Sequence, residues 1–211
     1  MRSRSTRALA ALVATLAVSA AASSVASAHE WQINKKALTG SHEVTVSFSK
    51  LKIGDLQRSG GATVLECEGK AKSTLSATKD ELNSLEMGSC KFEAGKNGPC
   101  EAGKAITFGA RGLPWSMELY EEGGKVKDRL KGSGGKEFGY TYECSSAGIQ
   151  ISDTCTTLEL STPLSNVTGG VDAEFGSSKL GCEKGTATSG LLEGVVLYKN
   201  PTSPIGLLTV T

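Results

Sequence analysis

Residues 113–131, LPWSMELYEEGGKVKDRLK, constrain the fold more than any other stretch. Two alternating runs flank Gly123-Gly124, a dipeptide suited to the positive φ angles of a two-residue hairpin turn. Closing the hairpin there sets Glu122 opposite Lys125, Tyr120 by Lys127, Glu118 by Arg129 and Ser116 by Lys131. Cross-strand pairs of this kind contribute roughly 0.2–1 kcal/mol each. The other face takes Trp115, Met117 against Leu130, Leu119 against Asp128, and Glu121 against Val126. A slip of one residue mixes the two faces, so the sequence specifies its own register. Asp128 is the odd member of the Trp115/Leu119 face and is expected at its rim.

The rest of the chain reads the same way. Residues 43–51 alternate, with Val44, Val46 and Phe48 on one side. Residues 62–68 form a strand whose hairpin partner is expected over 70–77. Thr78 and Glu81 have capping-box spacing, but 78–85 is too short for a stable helix and is expected as a single turn or loop. Further strands are expected at 86–92, 105–110, 138–144, 149–151, 156–161, 171–175 and 191–198, with a closing edge strand at 207–211. Residues 132–135 read as a flexible break. Short strands separated by glycine turns define an all-β antiparallel fold, a sandwich or a barrel-like form. The two-layer sandwich is the expectation.

Residues 1–28 read as a signal peptide. Arg2, Arg4 and Arg7 precede an apolar run over 8–18, and Ala26-Ser27-Ala28 is a small-residue cleavage signal. The apolar run is shorter than the roughly 20 residues a spanning helix needs. The expected division is a leader at 1–28, forming a signal helix, and one secreted β domain at 29–211. Removing the leader's three arginines from 23 basic residues leaves 20 against 22 acidic, a net charge of −2. That balance offers no electrostatic footprint for nucleic acid and no polybasic patch for anionic lipid.

All six cysteines, Cys67, Cys90, Cys100, Cys144, Cys155 and Cys182, follow the leader. An even count in an exported chain reads as three disulfides, and no C-x-x-C pair points to metal. Six cysteines allow 15 connectivities. The preferred pairs are Cys90–Cys100 and Cys144–Cys155, each closing a short loop, with Cys67–Cys182 joining the ends. An echo links two of these sites. Leu65-Glu66-Cys67-Glu68 leads into Gly69, Ala71, Ser73 and Leu75, and Leu180-Gly181-Cys182-Glu183 into Gly185, Ala187, Ser189 and Leu191. It reads as a recurring solution for a cysteine-bearing strand and its hairpin, ahead of an old duplication.

Candidates for chemistry are few. Cleavage after Ala28 would free the His29 amine, and His42 is the chain's other histidine. An N-terminal histidine with a second imidazole suits Cu(II), so His29 and His42 are the candidate metal ligands. Residues 98–104 match the spacing G-x-x-x-x-G-K, but Ala105 replaces the Mg²⁺-binding hydroxyl. Glu118, Glu121, Glu122 and Asp128 are carboxylates on the hairpin, yet Glu118 and Glu122 have cationic neighbours and read as a solvated face. Trp115, Tyr120 and Asp128 are the candidate binding residues; Trp31, Trp115, Tyr120, Tyr140 and Tyr142 are the aromatic set for a carbohydrate platform, although aromatics at strand spacing read first as core. No catalytic residue is assigned. Asn166-Val167-Thr168 fits a glycosylation sequon and reads as a turn.

At Glu30-Trp31-Gln32-Ile33-Asn34, at Leu113-Pro114-Trp115 with Glu118-Leu119-Tyr120, and at Asp153-Thr154-Cys155, the chain resembles a group of secreted bacterial β-rich proteins. In that group Asn often precedes Leu-Pro-Trp; here the residue is Gly112. The resemblance implies secretion and a cysteine-bearing β domain, and transfers no activity or ligand. The functional expectation is an exported, disulfide-stabilised structural or interaction module without catalytic activity and with no membrane anchor after cleavage. It would meet a cell-envelope or extracellular partner. Copper binding and carbohydrate binding are the alternatives.

Overall fold

A computed structural model describes residues 28–57, 62–98, 100–182, 187–200 and 202–210. Apart from Ala28, the leader lies outside the described residues. Fourteen strands fill this region: β1 (Ala28–Ile33), β2 (Lys36–Ala37), β3 (His42–Gln57), β4 (Thr63–Leu75), β5 (Lys79–Asn97), β6 (Thr107–Arg111) and β7 (Trp115–Glu122). They continue with β8 (Lys125–Gly132), β9 (Phe138–Ser146), β10 (Ile149–Thr157), β11 (Glu159–Val167), β12 (Gly170–Cys182), β13 (Ala187–Lys199) and β14 (Ile205–Val210). The fold is all-β and antiparallel, as its alternation dictates.

Neighbouring strands run β11-β8-β7-β5-β4-β3-β13-β12, and β12 pairs again with β11. That second pairing closes eight strands into a barrel, the barrel-like form of the expected fold rather than two flat layers. Closure needs long, bent strands. β3 has 16 residues and β5 has 19, and the register shifts at Phe48/Leu51, Glu68/Gly69 and Glu193/Leu197. Such bulges increase local twist and let a strand turn around the barrel. An eight-stranded barrel is just wide enough for side chains to fill. Val44, Val46, Trp115, Met117, Leu130 and Tyr198 do so here, all buried. Outward positions such as Lys72, Glu81 and Glu118 are exposed and charged, the reverse of a lipid-facing barrel.

Two smaller units close the barrel's ends. Past the bulge at Phe175/Ser178, β12 passes to β10, which continues through β9 to β6. This three-stranded lobe lies against β13. Gly190 permits the approach, because a Cβ there would meet Cys155 Cβ at 2.7 Å and the Tyr140 hydroxyl at 2.9 Å. The other unit is the sheet β14-β1-β2. Its Trp31 is fully buried, packs with its ring tilted against Tyr198 at 5.2 Å and donates its backbone N–H to the Ala77 carbonyl at 2.8 Å. Asn166, expected in a turn, lies in β11 and ties this unit down through the Leu207 N–H (2.8 Å) and carbonyl (3.3 Å).

The hairpin register is as expected at every pair from Glu122↔Lys125 to Ser116↔Lys131. Gly123 and Gly124 have φ of 61° and 72°, which the turn requires. The expected ion pairs shift, because strand twist brings diagonal neighbours together. Glu122 pairs with Lys127 at 2.5 Å, while Arg129 and Lys131 reach Glu159 of β11 at 3.3 and 3.0 Å.

All six cysteines form disulfides, but the pairs are Cys67–Cys90, Cys100–Cys144 and Cys155–Cys182. The three expected pairs are overturned by strand length and register. Beyond Cys90, β5 runs on to Asn97, about 23 Å at strand rise, and carries Cys100 away. The β9–β10 register sets Ile151, not Cys155, opposite Cys144. Cys67 instead faces Cys90 across β4 and β5, and Cys155 faces Cys182 across β10 and β12. Residues 70–77 are not a hairpin partner for 62–68, since β4 runs through to Leu75. Residues 79–85 are strand rather than turn, because pairing with β4 and β7 overrides the weak cap. Ser133–Gly135 is a single 3₁₀ turn. The echo splits in the structure. Its first copy lies in β4 alone, and its second begins in β12 and resumes in β13.

Candidate functional site

The barrel's apolar interior carries carboxyl groups. β5 and β8 flank β7, with Asp80 opposite Met117 and Asp128 opposite Leu119. The alternation that turns Met117 and Leu119 inward therefore turns both acids inward too. Asp80 is 4% exposed and Asp128 1%. Ser73 of β4 donates to Asp80 Oδ1 at 3.2 Å, while Asp80 Oδ2 and both Asp128 oxygens meet no hydrogen-bond partner. Burial, followed by the neighbouring Asp128 charge, pushes the Asp80 carboxyl well above its usual range. Burial alone dominates for Asp128, which is pushed up to about 7, although the Arg129 and Glu118 amides lie close enough to offset part of that effect. Tyr198 of β13 completes the cluster. Its hydroxyl donates to Met117 Sδ at 3.5 Å, and burial beside the two carboxyls pushes it far above the ordinary phenol range. Among the described residues no cation balances the pair.

A second cluster lies where the lobe meets the barrel. Asp55 of β3, Asp153 of β10, Tyr142 of β9 and Thr63 of β4 are all at most 2% exposed. The Tyr142 hydroxyl donates to Asp55 Oδ2 and the Thr63 N–H to Asp55 Oδ1 at 3.4 Å. Burial, then Asp55, pushes Asp153 up to about 6. Next to it, the Tyr140 hydroxyl donates to the Gly54 carbonyl. Each cluster thus buries two carboxyls and a tyrosine, and burial holds Asp80, Asp128 and Asp153 above the usual aspartate range.

The candidate residues read from sequence do not come together. Trp115 is 8% exposed and donates Nε1–H to the Arg111 carbonyl at 2.8 Å, so it offers no surface platform. Asp128 lies inside the barrel and not at a rim. Tyr120 faces outward under Arg129, whose guanidinium carbon sits 4.4 Å from the ring centre. His29 Nε2 meets Glu121 Oε2 at 3.0 Å, and His42 Nε2 meets the Thr39 carbonyl at 3.3 Å. Among the described residues no group of three or more His, Cys, Asp or Glu is placed to hold a metal ion. Cys100 of the G-x-x-x-x-G-K stretch is in a disulfide.

The barrel's internal cavity has about 40 Å³, lined by Val46, Phe48, Leu82, Trp115, Met117 and Tyr198 among others. Organic ligand sites have roughly 300–1,000 Å³, so this space is packing rather than a ligand chamber. Sequence reasoning missed Asp55, Asp80 and Asp153. The available signal was parity: Asp55 continues Leu51 and Ile53, and Asp153 lies between Ile151 and Cys155 on one face. No protein-family model, curated protein or solved structure matches the chain.

Proposed function

We propose that the chain is an exported, disulfide-stabilised structural or interaction module without catalytic activity. The observation that carries this reading is the use of all six cysteines in disulfides, with none free. Disulfides of this density belong to oxidising compartments. The leader-like residues 1–28 and the resemblance to secreted bacterial β-rich proteins support the same reading. So does the placement of the acids with altered proton affinity, which face packed side chains inside the barrel. On this reading the outer surface meets the partner, in the cell envelope or beyond it.

The test is peptide mapping, without reduction, of protein recovered from the culture medium, with sequencing of its first residues. The expected result is a chain starting at His29 with the pairs Cys67–Cys90, Cys100–Cys144 and Cys155–Cys182. A chain retained in the cytoplasm with reduced thiols would refute the proposal.

A further inference from the structure

The Asp80–Asp128 pair lies directly beneath the β1-β2-β14 unit. Trp31 of that unit packs with its ring tilted against Tyr198, and burial beside Asp80 and Asp128 dominates the environment of the Tyr198 hydroxyl. The backbone makes the same connection. Ala77, which accepts the Trp31 N–H, and Thr78, which accepts the Leu119 N–H at 2.9 Å, lead straight into Asp80. Trp31 Nε1 is itself buried without a partner. This end of the barrel is therefore closed by side-chain packing and a few hydrogen bonds over two carboxyls, with no disulfide among β1, β2 and β14.

We propose that the β1-β2-β14 unit is a pH-sensitive plug, seated on the barrel while Asp80 and Asp128 are protonated and loosened when the pair ionises. A carboxylate without a partner in a low-dielectric interior draws in water, and its charge opposes ionisation of the second acid. The strands that carry the pair, β5 and β8, flank β7, and β5 begins two residues past the plug's backbone contact at Ala77. The groups facing the acids are Ser73 from β4, Met117 and Leu119 from β7, Thr162 from β11 and Tyr198 from β13. Only Tyr198 among them titrates, and its proton stays on across the range concerned. Glu81, next along β5, adds to the proton affinity of Asp80. His29 and Glu121 form a separate pair at the plug's rim. The window follows from the pair itself: the plug is firm in acid and loosens as pH rises through about 7, where Asp128 loses its proton.

Hydrogen exchange read by mass spectrometry on the oxidised chain from His29 onward tests this, at about pH 5.5 and about pH 8.5 after correction for intrinsic exchange. We expect protection in β1, in β14 and at residues 77–80 to fall roughly tenfold or more at the higher pH, a pKa unit being worth tenfold. Strands β3, β4 and β13 should keep theirs. Asp128→Asn, which cannot ionise, should hold the plug's protection constant, and Asp128→Leu gives the same comparison if the first variant does not fold. Constant protection of β1 in the wild type overturns the proposal. So does an equal loss over the whole barrel, or an unchanged loss in the folded variant.

Discussion

The two ends of the barrel use the same chemistry with different fastenings. At the lobe end Asp55 and Asp153 lie with Tyr142, and Asp55 receives a tyrosine hydroxyl and a backbone N–H. Two disulfides, Cys155–Cys182 and Cys100–Cys144, hold the lobe in place. At the plug end Asp80 and Asp128 have one hydrogen bond from Ser73 between them, and three of their four oxygens lack a partner. No covalent link holds the plug. A buried carboxyl pair tolerates ionisation only where something else prevents separation. The lobe end has that fastening, and the plug end relies on its protons.

Four perturbations sharpen the contrast. The largest effect should come from pH. A carboxyl whose proton affinity is raised by folding adds stability that is fully present below its unfolded pKa and lost as pH rises through the folded value. For Asp128 that window runs from about 4 to about 7, some three pKa units, or about 4 kcal/mol. Denaturant titration should show stability highest near pH 4 and falling to pH 8, with most of the slope absent in Asp128→Asn. Next, Trp31→Ala should cost about 4 kcal/mol, the usual range for deleting a buried tryptophan. That loss should open the plug while amides at Tyr140 and Tyr142 stay protected. Replacing both Cys155 and Cys182 by alanine should cost about 3 kcal/mol and reverse that regional pattern. Smallest of all is Glu122→Gln. It removes the exposed pair with Lys127 and should leave the melting midpoint within replicate scatter.

The β7–β8 hairpin shows how far sequence reaches. Its turn, register and faces were all legible, because a two-residue glycine turn and period-2 alternation are local signals. Barrel closure was not. It depends on β11 meeting both β8 and β12, and no short window contains that information. The disulfides failed for the same reason: Cys67 finds Cys90 through the β4–β5 register, while loop length favoured Cys100. Asp128 was placed on the correct face and assigned to a rim, since a carboxylate at an apolar position is usually rescued by water. Asp80 was hidden by the capping-box reading of residues 78–85. Once these form a strand, Asp80 and Leu82 share the inward face.

The contrast between the two ends rests on protons held inside the barrel. An NMR titration of the aspartate side-chain carboxyl carbons reads them directly. Asp128 should titrate near 7, Asp80 well above the usual aspartate range, and Asp153 near 6. An Asp128 resonance that titrates near 4, as an exposed aspartate does, would contradict the account.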